Sequence, residues 1–388
     1  MTETAPLRIL FATPEVAPWV KTGGLGDVSA ALPAALAEAG LEVRVLVPAY
    51  PTLLAAFPGR VALAQVERPG AELLPATISC VALQPGLELL LVECPACYER
   101  HGGPYQDRSG HDWPDNALRF GLLSRLAALL ASSDTPLDWR PDIMHCNDWQ
   151  TALSPAYLRY RHEDGAASVT TIHNLAFQGL FPMARIHALD LPVAAMTIEG
   201  VEFHGKISFL KAGLQHSDRL TTVSPTYARE ICEPEHGFGL DGLLRHRRDR
   251  PSGDLVGILN GIDTRQWNPA TDRSIAARYG AHSLALKPLN RAALGERLKL
   301  ALQANAPLLG MIGRISPARR SADTVIDATP NCWRAARELV DGSDRAMPAG
   351  STLARALAAA HPGGSPENCQ IRLRQALAHL IGAAPTCS

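Results

Sequence analysis

The sequence predicts an α/β protein, a parallel sheet covered by helices, followed by a second and incomplete unit of the same kind. Three observations lead there. Seven β-branched or aliphatic runs, at 7–12, 42–48, 87–93, 142–145, 168–172, 219–223 and 255–259, alternate with helical patterns. The segments between them are long enough to hold the crossover helices that parallel strands require. Polar clusters follow three of the runs directly, in the places where open α/β sheets gather their ligands, beyond the carboxyl ends of the strands. The arrangement is Rossmann-like.

The first run empties into Lys21-Thr22-Gly23-Gly24-Leu25-Gly26-Asp27, and residues 28–36 then carry the apolar spacing of a helix. This is the build of a site for an anionic group such as a phosphate. Glycines let the backbone come close, a helix start offers unpaired N–H groups and a positive dipole end, and Lys21 adds a mobile charge. Two familiar phosphate loops do not fit. A Walker loop places Lys after its last glycine, and here Lys21 precedes them. A dinucleotide fingerprint begun at Gly24 puts Ser29 where the third glycine belongs, which leaves nicotinamide oxidoreductase a weak alternative. The plainer reading of such a loop alone is a tight strand-to-helix turn with Lys21 solvated.

The second cluster, His145-Cys146-Asn147-Asp148-Trp149, ends a strand and precedes a helix-like segment at 151–160. Asp148 either accepts hydroxyl groups of a sugar, with Trp149 packed near the site, or caps the helix. The third, His173-Asn174, brings an imidazole and an amide to a strand end where both reach a ligand. Lys211, in Ser208-Phe209-Leu210-Lys211-Ala212-Gly213, lies on a helix and is either exposed or turned to the cleft. Ser224-Pro225 reads as a helix cap with a structural role.

The chain has 388 residues, 46% of them hydrophobic and 19% charged, enough for two or three domains with real cores. With 37 basic and 38 acidic residues, the formal charge of −1 provides no global field toward nucleic acid or an anionic membrane. The first residues lack a basic n-region and an apolar core, and no apolar run approaches 18 residues, so a cytoplasmic protein is expected. Of eight cysteines, only Cys94-Pro95-Ala96-Cys97 has ligand-like spacing. One such pair, with no second pair and no histidine partner, is assigned to buried thiols rather than to zinc.

A boundary is placed after Asn260-Gly261-Ile262-Asp263, where the chain becomes turn-rich. Residues 289–304 look helical, and 307–312 look like the first strand of a second unit. Gly313-Arg314-Ile315-Ser316 follows that strand, and an arginine there reaches a diphosphate bidentately. Beyond about residue 316 only helix-like pieces at 351–360 and 371–381 remain, and poor order is expected.

Taken together, these strings resemble the bacterial glycogen synthase and plant starch synthase family. The resemblance is carried by the 21–28 glycine loop, 145–149, Thr171-Ile172-His173-Asn174-Leu175-Ala176-Phe177-Gln178-Gly179, 208–213, 223–230 and Leu259-Asn260-Gly261-Ile262-Asp263, and extends from residue 7 to about 316. It implies the GT-B architecture of two Rossmann-like domains across a cleft. The acceptor-side domain would then occupy 1–265, a linker and helix 266–306, and a partial nucleotide-sugar domain 307–388. It further implies transfer of glucose from ADP-glucose to the non-reducing end of an α-1,4-glucan such as glycogen, with retention of configuration. No metal or other cofactor, nucleic acid or membrane is implied, and the oligomeric state is left open.

Carried over residue by residue, Lys21 and the amides of Gly23 and Gly24 hold the diphosphate. Asp148, His173 and Asn174 line the glucose pocket, Tyr105 matches an aromatic residue of the site, and Arg314 matches a second-domain residue that meets the ADP phosphates. Lys21, Asp148, His173 and Arg314 are the expected catalytic set. Fixed cations and dipoles would stabilise charge on the departing ADP, while domain closure would exclude water. The likeness breaks after Arg314. Ala318-Arg319-Arg320 stands where the family has Gln-Lys-Gly, and its Glu-Pro-Cys-Gly-Leu and second Thr-Gly-Gly-Leu strings are absent. Family-like fragments then alternate with unrelated ones, as local frameshifts would produce. A truncated second domain with little or no transfer activity is therefore expected, the alternative function being a catalytically dead remnant that binds glucan or ADP weakly.

Overall fold

A computed structural model describes residues 5–161, 164–298, 300 and 302. The chain divides into two compact units, Met1–Ile262 and Asp263–Ser388. The first is built from β1 (Arg8–Ala12), α1 (Gly24–Glu38), β2 (Glu42–Pro48), α2 (Pro51–Ala56), β3 (Val61–Val66), β4 (Ala76–Gln84), β5 (Leu87–Glu93) and α3 (Pro95–Tyr98). It continues through α4 (Asn116–Leu130), β6 (Ile143–Asn147), α5 (Ser154–Arg161), β7 (Ala167–Ile172), β8 (Leu180–Pro182), β9 (Glu202–Phe203) and β10 (Lys206–Ser208). Next come α6 (Phe209–His216), β11 (Arg219–Thr222), α7 (Pro225–Glu230), α8 (Asp241–Arg248) and β12 (Leu255–Gly257).

Nine strands form one sheet in the order β12-β11-β7-β6-β1-β2-β5-β4-β3. From β12 to β5 every pairing is parallel, and β5-β4-β3 closes the far edge as an antiparallel meander. The seven expected strands are the parallel ones. The sequence reading assigns no strand to β3 or β4, and the reason is burial: β3 shows mostly exposed or half-buried positions and so lacks a continuous apolar run. A small antiparallel sheet, β8-β10-β9, stands apart.

The core follows from the central strands. Leu10, Phe11, Ala12, Leu46, Val47 and Leu89 to Val92 are fully buried, as expected where helices cover both faces of a parallel sheet. Helix α4 is buried around most of its girth, with Phe120, Leu122, Leu123 and Leu126 at 0% exposure, so it lies within the core rather than on it.

In the second unit the described residues hold α9 (Lys287–Arg297), beginning and ending earlier than the expected 289–304 helix. The N–H groups of Leu298 and Leu300 close its end on the Leu294 and Gly295 carbonyls. The expected strand at 307–312, Arg314, Arg319 and the tail helices lie outside the described residues. Among those described, no helix is long and apolar enough to cross a membrane.

Candidate active site

From β1 the chain proceeds to β2 and β5 on one side, then returns to place β6, β7, β11 and β12 on the other. The loops leaving β1 and β6 therefore diverge, opening a crevice at the carboxyl edge where the strand order reverses. Asn147, the last residue of β6 and fully buried, ties this edge together. Its Nδ2 donates to the Ala12 carbonyl at 3.0 Å, and its Oδ1 lies 3.0 Å from His173 Nε2. One amide thus links the ends of β1, β6 and β7.

On the β1 side the organiser is Glu15, only 2% exposed. Its carboxylate accepts from the Thr22 N–H and hydroxyl and from the Tyr105 hydroxyl, each at 2.5 Å. A buried carboxylate with three donors is a rigid anchor, and here it fixes the glycine loop from below and Tyr105 beside it. Helix α1 starts at Gly24 with no side chain capping its N-terminus. A Cβ built on Gly24 would meet nothing within 4 Å, whereas one on Gly26 would press on Lys21 at 3.2 Å. Packing accounts for Gly26 but not for Gly24, above which space is open for a ligand close to the backbone. Lys21, expected as a mobile cation, is ion-paired with Asp27 at 2.7 Å, with both side chains almost half exposed.

On the β6 and β7 side, Asp148 adopts a left-handed conformation, φ 55°. Its carboxylate accepts from the backbone N–H of His173 at 2.7 Å and of Asn174 at 3.3 Å. It does not cap a helix, because α5 begins only at Ser154. Burial pushes its carboxyl up to about 7, against the pull of those two N–H groups. Burial likewise brings His173 down to about 4, so the imidazole is neutral at physiological pH. Since Asn147 Nδ2 is committed to a carbonyl, its Oδ1 faces the ring and places the imidazole proton on Nε2, leaving Nδ1 as an acceptor. Asn174 Oδ1 accepts from the Ala176 N–H in an Asx turn, so its Nδ2 is the group left to offer a ligand.

The structure therefore brings Lys21, Gly23, Gly24 and Tyr105 to one side of the crevice and Asp148, His173 and Asn174 to the other. Lys211 belongs to neither: its ammonium is buried and donates to the Ile198 and Gly200 carbonyls, and burial lowers its pKa. Trp149 packs inward against Phe120, Phe181 and Phe209. Ser224 caps α7 through Tyr227 N–H, in the structural role expected. Glu15, Asn147 and Tyr227, whose hydroxyl accepts from Leu175 N–H, were assigned no role from sequence. A carboxylate between Pro14 and Val16, just ahead of a glycine loop, was the legible signal for the first; the others needed the strand order.

Residues 8–246 match the family described as starch synthase catalytic domain. The glycogen synthase of Dechloromonas aromatica is 53% identical over 348 residues, covering 89% of this chain and 70% of that protein. The one from Aromatoleum aromaticum is 51% identical, with 84% and 65% covered. Among solved structures, the catalytic domain of starch synthase IV from Arabidopsis thaliana, bound to ADP and acarbose, superposes with a TM-score of 0.65 at 29% identity. That match covers 82% of this chain and 64% of that one. The chain thus spans about two thirds of the length of such relatives. With a match that begins on β1, ends within α8 and encloses both sides of the crevice, the chain belongs to the glycogen and starch synthase family of glycosyltransferases.

Proposed function

We propose that this protein is a glycogen synthase that transfers glucose from ADP-glucose to the non-reducing end of an α-1,4-glucan with retention of configuration. The observation that carries the reading is the open space over Gly24 at an uncapped helix start, on the same carboxyl edge of the sheet as the Asp148–His173–Asn147 network. The diphosphate rests on the Gly23 and Gly24 amides, where helix N-termini hold anions. Lys21 leaves Asp27 to meet it; an exposed ion pair is worth only about 0–1 kcal/mol, so the exchange is easy. Departure of ADP builds negative charge at the leaving oxygen and positive character on the sugar. The amides and Lys21 stabilise the former, and Arg314 is assigned to the same charge by the family resemblance alone.

Asp148, His173, Asn174 and Tyr105 line the sugar side. A neutral imidazole suits that position, since it hydrogen-bonds a hydroxyl without repelling positive charge on the ring. The charge stabilisation is assigned to protein cations and dipoles rather than to a metal, and the reaction to the cytoplasm. The solved relative supports the donor and sugar classes through its bound ADP and acarbose.

The test is glucose incorporation into glycogen by the purified 388-residue chain, with UDP-glucose as competing donor. ADP-glucose-dependent transfer would establish the synthase activity for this chain and overturn the expectation of a disabled second domain. A folded chain that transfers nothing yet retains glucan in a pull-down would identify a non-catalytic remnant, and one that does neither would overturn the reading.

A further inference from the structure

Cys94 and Cys97 flank the start of α3, directly after β5, and take no part in the mechanism above. Their thiols are free, and both residues are buried, at 3% and 4% exposure. The Cys97 and Tyr98 N–H groups donate to the Cys94 carbonyl, each at 2.9 Å, which puts the two thiols on one side of a single turn.

A continuous set of hydrogen bonds leads from this turn to the glycine loop. The Cys97 carbonyl accepts from Arg119 Nε at 2.7 Å. Arg119, 1% exposed, also donates through Nη1 to the Pro104 carbonyl at 2.9 Å and to Asn116 Oδ1 at 2.7 Å. Asn116 Nδ2 donates to the Tyr105 carbonyl at 3.0 Å, and the Tyr105 hydroxyl donates to Glu15, which holds Thr22.

We propose that Cys94 and Cys97 are a dithiol–disulfide pair whose oxidation state is transmitted through Arg119 and Tyr105 to the glycine loop. The co-reactant is a low-molecular-weight disulfide. The Cys94 thiolate attacks one of its sulfurs, and the expelled thiolate takes up the proton that Cys94 has lost. The Cys97 thiolate then attacks the Cys94 sulfur of the mixed disulfide and expels the second small thiolate, which is protonated in turn. Two protein thiols are oxidised to one disulfide, and one small disulfide is reduced to two thiols. Cys94 is suited to attack first: the neighbouring Cys97, aided by Arg100 against burial, brings its thiol down to about 7, while Cys97 is raised.

Coupling follows from bond geometry. A disulfide holds its Cβ atoms about 3.5–4.5 Å apart, whereas residues three apart on a helical turn lie about 5–6 Å apart. Closing the bond tightens the turn and displaces the Cys97 carbonyl from Arg119. Because both thiols are shielded, exchange proceeds on local opening of the segment and equilibrates slowly.

The test equilibrates the full chain in glutathione buffers of graded ratio, approached from both the reduced and the oxidised side, with acid quench, alkylation and peptide mapping. One two-electron transition is expected, with a Cys94–Cys97 disulfide and the loss of two alkylatable thiols. Cys94→Ala and Cys97→Ala should each abolish it, and far-UV circular dichroism checks that each still folds. Trp113, whose indole donates to the Gly103 carbonyl at 3.1 Å, reports on the connecting loop. Its fluorescence, isolated by difference against Trp113→Phe, should shift on oxidation in the wild type only. Thiols that remain free from both directions, or a disulfide to another cysteine, would overturn the pair. A Cys94–Cys97 disulfide with unchanged Trp113 emission would overturn the coupling.

Discussion

Asp148 combines a left-handed backbone with a buried carboxyl that two N–H groups address, and its substitutions should separate shape from charge. Asn tolerates φ near 55° and keeps an acceptor for His173 and Asn174, so Asp148→Asn should stay within about 1 kcal/mol of the parent. Asp148→Ala leaves both N–H groups without their acceptor and should lose about 1–3 kcal/mol by urea unfolding. The histidines set an opposite test. Burial, reinforced by neighbouring positive charge at His145 and His216 and opposed by Glu15 at His173, brings all three imidazoles down to about 4. A histidine with a depressed folded pKa binds its proton mainly when unfolded. Its stabilisation is full above the ordinary 6.5 and is lost as pH falls toward 4. Asp148, raised to about 7, acts in the other direction, stabilising at low pH and losing that contribution as pH rises through 7. Three imidazoles outweigh one carboxyl, so melting temperature should fall between pH 6.5 and 4; a flat profile would contradict their burial.

At the scale of an element, two glycines make a contrast. A methyl group on Gly24 meets nothing within 4 Å. Gly24→Ala should therefore leave the melting temperature unchanged or slightly raised, yet weaken ADP binding by about tenfold, equivalent to about 1.4 kcal/mol in calorimetry. Gly179 has φ 59°, and a Cβ there would lie 2.4 Å from the Trp149 ring. Gly179→Ala should destabilise by about 2–4 kcal/mol whatever the ligand. Both glycines stood in recognised strings, and sequence alone could not tell which serves a ligand and which serves a tryptophan. The same limit explains Lys211. Its place on a helix was legible, but the carbonyls of Ile198 and Gly200 that it satisfies come from a loop whose path only tertiary packing defines. The parallel strands were legible because burial on both faces writes itself as apolar runs; the exposed β3 wrote none.

For the whole molecule, the two apolar clusters found among the described residues lie within the first unit, and their last buried member is Leu255. A protein ended after Ile262 should accordingly unfold in a single cooperative transition, with near-UV and far-UV signals coincident. Loss of the near-UV signal in that fragment would show that the core depends on later residues. The reversal of strand order between β1 and β6 is what makes one crevice out of motifs more than a hundred residues apart, and no local pattern announces it. The sequence placed each cluster at a strand end. Which strand ends are neighbours is decided by the direction in which the chain returns to the sheet.

The Asn147 link also bears on how this protein ages. Deamidation of an asparagine begins when the next residue's backbone nitrogen swings onto the side-chain carbonyl. That nitrogen belongs to Asp148, and its N–H is already held by the Thr171 carbonyl at 3.0 Å. The Asn147 N–H is itself held by the Thr151 hydroxyl, and the side chain is sealed from water. Conversion to aspartate would set a carboxylate against the Ala12 carbonyl and beside Asp148. The contacts that make this amide indispensable are therefore the ones that keep it from wearing out, and chemical decay on storage should begin elsewhere in the chain.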